Sequence, residues 1–478
     1  MFIGRILLTC LSTVAILVPF PTTPAAFDTT ELMRAAIGLP CQAKTIPTLR
    51  ALAERLPAAQ FQSNWVQYSL NWVQHGQPGI TGRRLVFSVG DDELVISFTG
   101  SIGSPDHVVA HYLASAAKRP LLLATADHSC TIHTARGVTY DAAGRPEWLQ
   151  DLDSELRPIG EPEPLNPPVP AGADRPGIPV GLADSGVNYL LPEIASHLAR
   201  SPDGEILGYD YWELDRRPFD VSPTPDPFFP GHHGTLTASL VLEGAPVAKL
   251  VPYRYPRHDM ARMTALVEDA AARGVRVMNL SLVSRDRAEW LPFEAAAAAH
   301  PEMLFVVAAG NSGRDIDRQP HYPASFALAN MVVVTSATAD GRLTYGVNWG
   351  SRSVDLLVQG ENVSALDFDG ERRFVSGSSY ATARVTALAA CLLAGHPEWS
   401  TAQLKSAIFR EARADEAGDV AVGFVPDAAL GSGACARQEL VCSAPAPGCP
   451  TSEQLLTRPW PRATARSGRT RGSAPRRG

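Results

Sequence analysis

From residue 178 to residue 430 the chain alternates continuous apolar runs with amphipathic stretches, and this alternation restricts the fold more than any other feature. The runs are Ile178–Ala183, Val275–Leu282, Met303–Ala309, Met331–Val334 and Val354–Val358. Strands that are apolar on both faces must be covered on both, which a parallel sheet flanked by helices provides. Between the runs, Asp259–Arg273 has helical spacing and opens on an aspartate suited to capping. The expectation over 178–430 is an α/β domain, a parallel sheet with helices on both faces.

Other regions flank it. Residues 1–26 read as a secretory signal: Arg5, an apolar run from Ile6 to Val18, and small residues at Ala25-Ala26 suited to cleavage. The run is shorter than the roughly 20 residues a membrane span needs, and no later segment is long enough, so no transmembrane segment is expected once the signal is removed. Residues 27–156 mix strand-like runs (Arg84–Val89, Glu93–Phe98) with a helix-like stretch from Asp106 to Lys118, the pattern of a smaller α+β domain. Residues 157–177 form a Pro-rich linker, and residues 431–478 are Pro-, Ser- and Arg-rich without periodicity, the composition of a disordered tail.

Charge separates these regions. Residues 458–478 hold seven Arg and no acid, leaving residues 1–457 at −14 with 35 basic and 49 acidic side chains. An acidic body with a short basic tail lacks the basic face of a folded nucleic-acid binder, so no nucleic-acid partner is expected. The tail is either a solvated extension or an anchor to anionic surface polymers. Removal of the signal takes Cys10 and leaves six cysteines, an even number suited to an oxidising compartment. Cys41 and Cys130 can bridge the N-terminal region. Cys391, in an Ala/Leu-rich helical stretch, has the setting of a buried thiol. Cys435, Cys442 and Cys449 have no His at zinc-ligand spacing nearby.

Functional groups in α/β sheets gather where strands end. Val180–Ala183 runs into Asp184-Ser185-Gly186, and Phe305–Ala309 into Gly310-Asn311-Ser312-Gly313. Gly231-His232-His233-Gly234-Thr235 and Ser376-Gly377-Ser378-Ser379-Tyr380-Ala381 each precede a helical run. Acyl transfer needs a nucleophile, a base, a carboxylate to orient the base, and donors for the oxyanion. Ser379 at a helix start, His233, Asp184 and Asn311 match those four roles.

These motifs, in the order Asp, His, Ser, resemble the subtilisin-family serine peptidases, the subtilases. Secondary matches lie between them: Gly208-Tyr209-Asp210, Val277-Met278-Asn279-Leu280-Ser281-Leu282, Tyr322-Pro323-Ala324 and Gly360-Glu361-Asn362-Val363. The resemblance covers about 250 residues and implies a subtilisin-like fold. It implies catalytic Asp184, His233 and Ser379, an oxyanion hole containing Asn311, and a substrate-binding strand at Ser281, Leu282 and Val283. His232 and Ser378 are neighbouring rivals for base and nucleophile; the Gly-Thr after His233 and the register of Gly377 and Ala381 favour His233 and Ser379. The family pattern is broken at Leu236, Ser239, Ala383 and Val283, where the last puts a side chain in place of the usual glycine.

The resemblance therefore implies a secreted enzyme, extracellular or periplasmic, that hydrolyses polypeptide substrates through an acyl-enzyme. A peptide ligase or cyclase, and a non-hydrolytic pseudopeptidase, are the alternatives on the same scaffold. No cofactor is required for the chemistry, and no metal ligands are assigned; structural calcium is possible, with no ligand set to name. Residues 27–156 fall where such enzymes carry a propeptide, an intramolecular chaperone and inhibitor, yet a retained accessory domain fits the same position.

Overall fold

The computed structural model describes residues 29–56, 60–70, 80–114, 118–430 and 435. The signal reading at 1–26 and, apart from Cys435, the tail at 431–478 with its Cys442, Cys449 and arginines lie outside the described residues.

The N-terminal part opens with helices α1 (Thr29–Gln42) and α2 (Ile46–Ala53) and continues as an antiparallel sheet in chain order. Its strands are β1 (Gln60–Leu70), β2 (Ile80–Val89), β3 (Asp92–Ser101), β4 (Ser104–Ala114), β5 (Arg119–Ala126), β6 (Ile132–Tyr140), β7 (Pro146–Leu152) and the short β8 (Glu163–Pro164). The helices cover one face, where Met33, Ile37 and Leu49 pack on Phe87, Phe98 and Val108. A Cys41–Cys130 disulfide ties α1 to the turn before β6. The helix expected from Asp106 is instead β4. Burial there alternates through Val108, Ala110 and Tyr112, and strands on both sides supply the ladder, so tertiary pairing overrides the local pattern.

The second part is built on a nine-stranded sheet. In chain order its elements are β9 (Ile178–Asp184), α3 (Pro192–Ala195), β10 (Tyr209–Asp210), α4 (Gly234–Gly244), β11 (Ala248–Arg254), α5 (Met263–Ala272), β12 (Val277–Leu280), α6 (Arg287–Ala299), β13 (Leu304–Ala308), β14 (Met331–Ala337) and β15 (Leu356–Gln359). The hairpin β16 (Val363–Leu366) and β17 (Arg372–Val375), helices α7 (Ser378–Gly395) and α8 (Thr401–Arg410), and strands β18 (Arg413–Ala414) and β19 (Gly423–Val425) complete it. The order across the sheet is β10-β11-β9-β12-β13-β14-β15-β19-β18, parallel except at β18–β19.

Both faces are covered, as continuous apolar strands require. Phe305 and Val307 of β13 point into a core with α5 and α6, and Leu304 and Val306 into a core with α7 and α8. Helix α7 is buried nearly all round, which suits a sequence of mostly small and apolar residues with one charge, Arg384. Two expectations give way. Asp259 does not cap α5; its carboxylate pairs with Arg262 at 2.9 Å, and a 3₁₀ turn over Met260–Arg262 leads into the helix. Cys391 is not a free buried thiol but is disulfide-bonded to Cys435. Among the described residues no helix is long and apolar enough to cross a membrane.

Phe305 is fully buried and meets Phe293 edge-on at 5.2 Å between ring centroids. Phe305→Ala is expected to cost about 3–5 kcal/mol, read as a lowered midpoint in urea unfolding followed by tryptophan fluorescence.

Candidate active site

Asp184 is the last residue of β9 and is buried. Its Oδ1 receives the Ser185 backbone N–H at 2.8 Å and faces His233 Nδ1 at 2.7 Å; its Oδ2 accepts from Thr237 Oγ1 at 3.1 Å. His233 directly precedes α4, with its side chain one-third exposed. Both glycines of the two motifs serve one contact. A Cβ on Gly234 would stand 1.8 Å from the Gly186 carbonyl oxygen, so the Asp-Ser-Gly and His-Gly-Thr turns touch backbone to backbone.

Burial works against a charged His233, but the Asp184 carboxylate beside it, with Asp220 beyond, outweighs burial and raises its pKa above the ordinary 6.5. His232 is also raised, because Glu163 and Asp220 outweigh its burial. Its ring stacks on Phe368 at 3.6 Å, and its Nε2 meets Glu163 Oε1 at 3.1 Å. His232 is therefore engaged by Glu163 and Phe368, whereas His233 is the histidine on Asp184.

Ser378 and Ser379 open α7. Ser378 is fully buried: its hydroxyl accepts from Gly310 N–H at 3.1 Å, and its own N–H donates to Asn311 Oδ1 at 2.9 Å. Gly377, at φ +154°, lies against the Asn311 amide, where a Cβ would come 3.3 Å from Nδ2. Tyr380 sets its ring 5.8 Å from that of His233. Ser281, just past β12, donates from Oγ to the Ser379 carbonyl at 3.4 Å. Leu282 and Val283 follow, both part-buried, and the Val283 side chain packs against Gly310, 3.1 Å from where a Cβ would stand. The structure thus brings Asp184 and His233 into direct contact, Asn311 against the start of α7, and Ser281 against Ser379; the Ser281–Val283 segment expected as strand lies beyond the end of β12.

Residues 175–433, more than half of the chain, match the sequence profile described as the subtilase family. The chain belongs to the subtilase family. Among relatives, it is 28% identical over 233 residues to halolysin of Haloferax mediterranei, covering 46% of this chain and 42% of halolysin. It is 28% identical over 259 residues to alkaline serine exoprotease A of Vibrio alginolyticus, covering 52% and 44%. Subtilisin BL of Lederbergia lenta is 27% identical over 255 residues, covering 50% of this chain and 89% of that one. The chain spans less than half the length of the first two curated relatives it matches. A solved cold adapted subtilisin-like serine proteinase superposes with a TM-score of 0.43 at 22% identity, covering 55% of this chain and 93% of that one.

Positions that depart from the subtilase pattern have structural uses here. Ser239 accepts the Leu366 N–H at 3.0 Å and so fastens α4 to β16, while Leu236 and Ala383 are buried in the core between α4 and α7. Among the described residues no group of three or more His, Cys, Asp or Glu side chains is arranged to hold a metal ion.

Two supporting residues escaped the sequence reading. Asn348 holds the turn at Asn311: its Nδ2 donates to Ala309 O at 2.7 Å, and its Oδ1 accepts from Ser312 and Arg314 N–H at 3.0 and 3.1 Å. Asp220, fully buried, accepts the successive backbone N–H groups of His233, Gly234 and Thr235 at 3.1, 3.2 and 2.8 Å, and the Ser185 hydroxyl at 2.6 Å. It caps α4 from 13 residues upstream of His233, so no capping signature adjacent to the helix could reveal it. Asp220→Asn, which turns N–H donors toward N–H donors, is expected to destabilise by at least about 1–3 kcal/mol in denaturant unfolding.

Proposed function

We propose that this subtilase is a secreted serine endopeptidase that hydrolyses peptide bonds, with Ser379 as nucleophile, His233 as general base and Asp184 as the carboxylate that orients it. The observation that carries the reading is the Asp184–His233 contact at 2.7 Å beside a helix start whose first serine already has its hydroxyl committed. Ser378 accepts from the Gly310 N–H, which leaves Ser379 as the hydroxyl to act.

In the proposed reaction Ser379 Oγ attacks the substrate carbonyl while His233 Nε2 takes its proton. Nδ1 is held on Asp184, which fixes the tautomer and stabilises the imidazolium. Because Asn311 Oδ1 accepts from Ser378 N–H, its Nδ2 hydrogens are left to face the developing oxyanion, together with backbone N–H groups at the start of α7. The imidazolium returns its proton to the leaving amine, and water repeats the sequence on the acyl-enzyme. Ser281, Leu282 and Val283, extending β12, receive the substrate backbone, and the Val283 side chain against Gly310 favours a small residue on the acyl side of the cut. Polypeptides are the substrates. No cofactor is required for these steps.

Ser379→Ala is expected to abolish both cleavage of a fluorogenic peptide library and labelling by a fluorophosphonate, with circular dichroism unchanged. Labelling that persists on Ser378 in that variant overturns the assignment, and ligated rather than hydrolysed products in mass spectra replace hydrolysis with transfer. Asn311→Leu is expected to lower turnover about 10²–10³-fold.

The raised pKa of His233 sets the pH window. Only the neutral imidazole accepts a proton, and a raised value keeps His233 charged to a higher pH. kcat/KM is therefore expected to rise with pH through a midpoint above 6.5. Asp184→Asn removes the charge responsible, so the midpoint moves down and turnover falls about 10⁴-fold; a pH–rate profile of both proteins checks the two effects.

A further inference from the structure

We infer that the N-terminal domain is a permanent part of the active enzyme, clamped to the loop that carries His233, rather than a detachable segment. The inference rests on the serine peptidase reading only where activity is used as a readout.

The first observation is the interface. The face of the N-terminal sheet opposite α1 and α2 presents Leu123, Val138 and Leu149, each nearly fully buried. They share one apolar cluster with Tyr189, Phe219 and Phe228 of the catalytic part, which are no more than 1% exposed. Loss of the N-terminal domain would leave both sides of this cluster facing water, an exposed patch that a soluble enzyme avoids.

Polar contacts fix the same junction. Arg145 bridges to Asp215 at 2.5 Å, and Asn166 Nδ2 donates to the same carboxylate at 3.0 Å. Arg136 donates to the Phe228 carbonyl at 2.7 Å. These partners lie on residues 215–228, within the loop leading to His233. Glu163, on the last strand of the N-terminal sheet, reaches His232 at 3.1 Å, one residue from the proposed base.

The path of the connector supplies the second argument. For the chain to cut itself there, a connector carbonyl must lie about 3–3.5 Å from the nucleophile. Residues 165–174 are instead fastened elsewhere: Tyr189 Oη donates to Pro167 O at 2.6 Å, Arg200 Nη2 to Pro170 O at 2.8 Å, and Lys249 pairs with Asp174 at 2.7 Å. None of these fastenings involves Ser379, Asn311 or the Ser281–Val283 segment. The connector then enters β9 at Ile178, at the opposite end of that strand from Asp184, about 20 Å away at 3.3 Å per residue.

The test uses the full chain expressed with its own N-terminus. Secreted protein is labelled with a fluorophosphonate, and the labelled species is analysed by intact mass and N-terminal sequencing. One polypeptide that still contains the N-terminal domain is the expected result; a labelled species starting between residues 157 and 180 overturns the inference. If no labelling occurs, the serine peptidase reading fails, while the N-terminus of the purified folded protein still decides retention. Glu163→Gln tests the clamp on His232: kcat is expected to fall about fivefold with KM and the circular dichroism of the folded protein unchanged. Wild-type kcat in that variant removes the positioning role.

Discussion

One buried carboxylate fixes the separation between Asp184 and His233. Asp220 receives three consecutive backbone N–H groups at the start of α4 and the hydroxyl of Ser185, so the chain segments carrying the two residues are held from a common point. Taking a carboxylate out of water costs several kcal/mol, and charge-assisted hydrogen bonds of this number offset that cost. The glycines then let the two backbones close to contact. A histidine held by its side chain alone would sample several rotamers. Here Asp220 anchors the backbone of His233 and so fixes where its Cβ stands, and the Asp184 contact holds the ring from that point.

The sheet order explains why the site lies where it does. After β9 the chain moves to one side, to β10 and β11, and then crosses back over β9 to lay down β12, β13, β14 and β15 on the other. The reversal occurs at β9, and in open α/β sheets the crevice at such a switch point, beyond the carboxyl ends of the strands, is where ligands bind. Asp184 ends β9, Asn311 follows β13, and Ser281 follows β12, so three of the proposed groups come from strand ends on one rim. The N-termini of α4 and α7 face the same rim, bringing partial positive charge to it. Asn279 links these levels: it donates to Ser281 Oγ at 3.1 Å and accepts from Thr386 of α7 at 3.0 Å.

What the sequence revealed follows from the range of the interactions involved. The central strands were legible because burial on both faces leaves an unbroken apolar run, as in Val306-Val307-Ala308-Ala309. β11 was not among them, since Lys249, Pro252 and Arg254 interrupt its pattern. The structure accommodates Pro252 because the ladder toward β10 begins only at Tyr253. β4 reads as a helix locally, and only its neighbours β3 and β5 decide otherwise. The motif residues of the candidate site could be named because each sits beside a glycine or a helix start. Asp220 and Asn348 could not, because their partners lie 12 or more residues away and no local spacing records them.

The N-terminal sheet shows the same dependence at the level of domains. An antiparallel sheet covered on one face ordinarily turns polar residues outward on the other, giving alternation along each strand. Strand β5 instead carries Leu121-Leu122-Leu123-Ala124, with Leu123 on one face and Ala124 on the other, both buried. Such a strand requires two covers: α1 and α2 provide one, and the loop before His233 provides the second through Phe228. The apolar character of the sheet's far side is thus unexplained by its own fold and explained by the subtilase part. The same packing gives Phe228, fully buried at the end of a proline-rich loop, a fixed position that few local hydrogen bonds would otherwise impose. The sheet and the loop each complete the other's burial, and the geometry at His233 is the shared product of both.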